Sequence, residues 1–101
     1  MLSPTENLIV VAMEECNEIG QELSKVLRFG PDDHHPYDKP FLTNGHRVMK
    51  EYYQLQAVIS LLQEDNVLPI LTLEEQNEIM AEKVNKVKHW SDYSRKKGII
   101  D

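Results

Sequence analysis

The sequence predicts an all-α protein, a helical bundle of three long helices with short connecting segments. Three observations carry that prediction. Apolar residues recur at helical spacing in three separate stretches, start and stop signals bracket each stretch, and nowhere do apolar and polar residues alternate as in a strand. A chain of 101 residues is read as a single domain, 1–101, with a modest core, and dimerisation is the expected way to complete it.

The first helix opens at Ser3-Pro4, with Ser3 or Thr5 as N-cap and Glu6 in the first turn. Leu8, Val11, Ile19, Leu23 and Val26 mark its apolar face as far as Phe29. Gly30-Pro31 ends it, because glycine suits the position after the last turn and proline cannot continue the ladder. A loop from Pro31 to Asn44 follows, carrying Asp32-Asp33, His34-His35 and Tyr37-Asp38 between three prolines. Its acids and histidines are more simply a solvated polar loop than a metal site, although a loop of this length is often functional.

Thr43 or Asn44 caps the second helix, which runs from about Gly45 to Asp65 with Val48, Tyr52, Leu55, Val58, Ile59, Leu61 and Leu62 as its apolar positions. Pro69 breaks the pattern. Thr72 and Glu75 have the spacing of a capping box and start the third helix, which carries Ile79, Met80, Val84, Val87, Trp90 and Tyr93 and ends in Arg95-Lys96-Lys97-Gly98.

Composition narrows the function. Net charge is −6, with 17 acidic residues against 11 basic, which disfavours non-specific binding to nucleic acid phosphates. It leaves open a small phosphorylated ligand, since a divalent cation inverts the local sign. Cys16 is the lone cysteine, so neither an internal disulfide nor a cysteine-built zinc site is available, and its expected place is a small core position. No run of 18 apolar residues suggests a membrane span, and the N-terminal residues lack the basic region of a signal peptide; a soluble cytoplasmic protein is expected.

The stretch that stands out is Glu14-Glu15-Cys16-Asn17-Glu18. Glu14 and Glu18 fall one turn apart, and Glu15, Glu18 and Glu22 follow one another along a strip. A charge run on a helix is most often a solvated face. Such a face usually intersperses cations, however, and here Lys25 and Arg28 come only one to two turns later. Acids followed by a basic turn suit a hard divalent cation, which takes oxygen ligands, and the phosphates it bridges. A di-iron reading is set aside, because neither Glu15-x-x-Glu18 nor Glu51-x-x-Gln54 supplies the Glu-x-x-His that such bundles use.

Together with Ser24-Lys25-Val26-Leu27-Arg28-Phe29-Gly30, with Asn44 and Arg47-Val48-Met49-Lys50-Glu51-Tyr52-Tyr53-Gln54, and with Glu82-Lys83-Val84-Asn85-Lys86, this element resembles the MazG-like, all-α nucleoside triphosphate pyrophosphohydrolases, in particular their short single-domain members. The resemblance covers most of the chain in the same order. It implies a homodimer or homotetramer that uses Mg²⁺, with Mn²⁺ as a substitute, to split a nucleoside triphosphate into a monophosphate and pyrophosphate in nucleotide-pool housekeeping. It further implies that Glu15, Glu18 and Glu51 hold the metal, that Glu14 is a ligand or orients the attacking water, and that Glu14, Glu15 and Glu18 form the catalytic set. Lys25, Arg28, Lys83 and Lys86 correspond to phosphate-contacting cations. The family's second acidic element ends in Asp, where this chain has Gln54. A glutamine carbonyl can ligate a hard cation but adds no charge, so weaker metal binding is expected. The alternatives are a bundle that binds nucleotides or proteins without turnover, and a purely structural helical dimer.

Overall fold

The computed structural model describes residues 1–37 and 41–101; Asp38 and Pro40 of the expected loop lie outside the described residues. The protein is all-helical: α1 spans Pro4–Phe29, α2 Asn44–Glu64 and α3 Leu73–Lys96, with no strand among the described residues. The chain forms two compact units, Met1–Pro69 and Ile70–Asp101.

In the first unit α1 and α2 form an antiparallel helical hairpin. Ser3 is the N-cap of α1: the Glu6 amide donates to Ser3 Oγ at 3.1 Å, and the Ser3 amide donates back to Glu6 Oε1 at 3.2 Å. Gly30 stops the helix at φ 91°, a left-handed conformation that favours glycine, and its amide closes onto the Val26 carbonyl. Thr43, rather than Asn44, caps α2 by accepting from the His46 amide. Asn44 instead turns inward, and its side chain donates to the Gly30 carbonyl at 3.0 Å. Two backbone bonds, from the Asn44 amide to Asp33 and from the Gly45 amide to Pro31, fasten the loop to the start of α2.

The inward stripe of α1 is Leu8, Val11, Ala12, Glu15, Glu18, Ile19, Glu22 and Val26; that of α2 is Val48, Glu51, Leu55, Val58, Ile59 and Leu62. These positions follow the helical repeat, so four glutamates occupy places where a helical hairpin ordinarily carries aliphatic side chains. The apolar part of the seam is correspondingly thin. Among the described residues only Leu62 and Asn44 are fully buried, at 3% and 6% exposure. Leu23, Tyr52 and Leu61, expected on apolar faces, are about half exposed because they sit at the margins of the stripe. Cys16 is exposed rather than in the core, since it lies one residue round the helix from Glu15.

Asn66, with φ 58°, turns the chain out of α2, and the Val67 amide returns to the Leu62 carbonyl at 2.9 Å. In the second unit Thr72 and Glu75 form the expected capping box, with the Glu75 amide 3.1 Å from Thr72 Oγ1. Trp90 lies edge-on to both His89 and Tyr93, and near the end of α3 Arg95 pairs with Asp92 at 2.8 Å. Among the described residues no helix is long and apolar enough to cross a membrane.

Leu62 is the packing anchor of the hairpin. Leu62→Ala is expected to cost about 2 kcal/mol or more by chemical denaturation. Ile99→Ala, at a position 73% exposed near the end of the second unit, should stay within about 0.5 kcal/mol of the parent.

Candidate functional site

The seam of the hairpin brings three acids to one point. Glu15 and Glu18, one turn apart on α1, and Glu51, facing them from α2, each place a carboxylate oxygen within 4.8 Å of the others. Among the described residues no other group of three His, Cys, Asp or Glu side chains converges in this way. All three are half-buried. The second oxygens of Glu15 and Glu51 are buried and accept no hydrogen bond, and Glu22 Oε2, one turn beyond Glu18, is in the same condition.

Like charges this close cannot all remain ionised at ordinary cost. Glu18 shows the strain: its carboxyl is held above the usual glutamate range. The largest cause is a hydrogen bond with Glu51, followed by desolvation and by repulsion from Glu51 and Glu14. A hydrogen bond with Glu15 works in the opposite direction. A cluster of this kind suits a positive charge. A proton serves at low pH, and a hard divalent cation suits an all-oxygen donor set at neutral pH.

The other residues singled out from the sequence are distributed around this cluster. Glu14 is exposed, and it acts on Glu18 through charge alone. Gln54 is also exposed and lines a shallow depression with His46, Lys50 and Tyr53. Lys25 pairs with Glu22 at 3.2 Å, which links the acidic strip to its first cation. The Arg28 guanidinium lies 4.8 Å over the Phe29 ring. Lys83 and Lys86 belong to the second unit, where they line a cavity of about 500 Å³ with Trp90. His34 does not join a metal group; its ring is 4.9 Å from that of Phe41, and its amide donates to Asp33 Oδ1.

Two features were not assigned from the sequence. Glu22 turns its carboxylate into the seam, a position its spacing from Glu18 signals but does not distinguish from a solvated charge. Arg47, one turn before Glu51, lines a cleft of about 290 Å³ together with Lys25, Phe29, His34 and Asn44. That cleft depends on the course of the loop, for which the sequence carries no periodic signal. Comparison with protein-family models, curated proteins and solved structures gives no match.

The raised Glu18 value fixes a pH dependence. A group that binds its proton more tightly when folded contributes stability below the ordinary glutamate pKa of about 4.3, and that contribution is lost as pH rises through the folded value. In EDTA, Glu18→Gln is therefore expected to melt increasingly above the parent as pH rises from about 4 to 7. Mg²⁺ at neutral pH should raise the Tm of the parent and leave that of Glu18→Gln unchanged; thermal scans with and without the metal check both.

Proposed function

We propose that this protein is a metal-dependent nucleoside triphosphate pyrophosphohydrolase of the MazG-like kind, acting in nucleotide-pool housekeeping. One observation carries the reading: Glu15, Glu18 and Glu51 converge within 4.8 Å, with buried oxygens on Glu15 and Glu51 that have no partner. Carboxylates with uncommitted lone pairs fit a hard cation.

These three residues would hold Mg²⁺ or Mn²⁺, which supplies charge neutralisation for a bound polyphosphate. The chain's own groups do the remaining work. Lys25 and Arg28, about two and three turns beyond Glu18, bind phosphate oxygens as the charge on the leaving pyrophosphate grows. Glu14, solvent-facing beside Glu18, orients the attacking water and accepts its proton. Water oxygen bonds to phosphorus, the bridging P–O bond breaks, and pyrophosphate departs from the monophosphate. Exposed Ile9, Met13, Leu23 and Leu27 on α1, beside a seam with so little apolar volume, support assembly as a homodimer or homotetramer.

A second reading is favoured by Gln54, which brings no charge where the family pattern has an acid: the bundle binds nucleotides without turning them over.

Pyrophosphate release from a panel of ribo- and deoxynucleoside triphosphates, with Mg²⁺ or Mn²⁺ and an EDTA control, tests the enzyme. Metal-dependent release with a preferred substrate is expected. Glu18→Gln should lower it by about a hundredfold or more without unfolding the chain. Silence across the panel, with activity appearing in Gln54→Asp, would establish the second reading instead.

A further inference from the structure

The cleft at the closed end of the hairpin is built differently from the acidic seam and lies beside it. Arg47 precedes Glu51 by one turn, about 6 Å along α2, and Lys25 follows Glu18 by two turns along α1. Each helix thus contributes a cation between the acids and the cleft. Beyond those cations the walls carry rings, with Phe29 at the end of α1 and His34 and His35 on the loop, beside the Asp33 carboxylate. A volume of about 290 Å³ lies at the lower end of small-molecule sites, which run from about 300 to 1,000 Å³. It is large enough for a heterocycle and its sugar, and too small for a whole triphosphate. The order along the hairpin is therefore acids, cations, aromatic walls, the same order as metal, phosphates and base in a metal-bound nucleotide.

The wall that carries His34 is fixed by a single buried polar side chain. Asn44 donates through its side chain to the Gly30 carbonyl at 3.0 Å, and through its amide to the Asp33 carbonyl at 2.8 Å. It spans the two ends of the turn, Gly30 and Asp33, from the first residue of α2. Gly45 completes the latch: its amide donates to Pro31, and a Cβ there would stand 3.3 Å from the Pro31 oxygen. Asn44 is 6% exposed, and its side-chain NH2 and its backbone N–H both donate to carbonyls of this turn.

We propose that this cleft receives the base and sugar of a nucleoside phosphate, with Lys25 and Arg47 at the phosphate end, and that Asn44 is the positioning residue that sets its aromatic wall. The proposal rests on the nucleotide reading above and adds where the ligand's heterocycle sits.

The test uses the full chain in two arms. The first maps backbone amide shifts on adding a nucleoside monophosphate or inorganic triphosphate. The monophosphate should move Phe29, His34 and Asn44; inorganic triphosphate with Mg²⁺ should move Lys25, Arg47 and the acids but leave Phe29 and His34 in place. The second arm uses Asn44→Leu, which keeps the approximate shape, removes the side-chain donor and adds no charge. KM for the preferred nucleoside triphosphate should rise about tenfold while inhibition by inorganic triphosphate is unchanged, a split that a general loss of fold would not give. Hydrolysis of nucleoside triphosphates without any shift at Phe29, His34 or Asn44 would overturn the cleft and leave the enzyme standing. Shifts at those residues with no hydrolysis would uphold the cleft and remove the catalytic reading. Should Asn44→Leu fail to fold, the shift map on the parent decides alone.

Discussion

Mutual repulsion among carboxylates in a helix seam is the constraint on which this structure turns. Glu15, Glu18, Glu22 and Glu51 occupy inward positions of α1 and α2, where aliphatic side chains would have closed the hairpin. The hairpin is left with one fully buried apolar residue among those described, Leu62. A positive charge placed in such a seam would relieve the repulsion among its carboxylates. Glu18 carries the mark of that repulsion: its carboxyl is held above the usual glutamate range by its bond to Glu51, by desolvation and by the charges of Glu51 and Glu14.

From that constraint the rest follows by position along the helices. The capping box at Ser3 and the stop at Gly30 set the ends of α1, and the apolar stripe that Glu15, Glu18 and Glu22 share turns the acids toward α2. Thr43 sets the start of α2 and leaves Asn44 free to reach back to Gly30. Lys25, already paired with Glu22, marks where the seam changes sign. Apolar side chains left on the outer surfaces, such as Met13 and Leu27, are what a hairpin with a polar seam would bury against another copy.

Much of this was legible in the sequence because helices announce themselves locally. Ser3-Pro4, Gly30-Pro31 and Thr72 with Glu75 are chemical signals confined to a few residues, and the structure places helix ends at all of them. The convergence of Glu15, Glu18 and Glu51 was half legible: the spacing puts Glu15 and Glu18 on one strip, whereas the facing of Glu51 depends on how the two helices pair. Cys16 and Leu23 show the limit of periodicity. At 100° per residue, a position next to the stripe has the same residue type as one inside it, and only packing separates them. The cleft was least legible, because it rests on Asn44 bonding to backbone carbonyls of a loop that has no repeat to read.

The central claim is that the acidic seam is a cation site, and paramagnetic line broadening by substoichiometric Mn²⁺ tests it most directly. The account predicts that amide resonances around Glu15, Glu18 and Glu51 broaden first, and that excess Mg²⁺ restores them. Broadening spread evenly over the exposed acids, unaffected by Mg²⁺, would contradict it and leave the seam as a cluster that binds only protons.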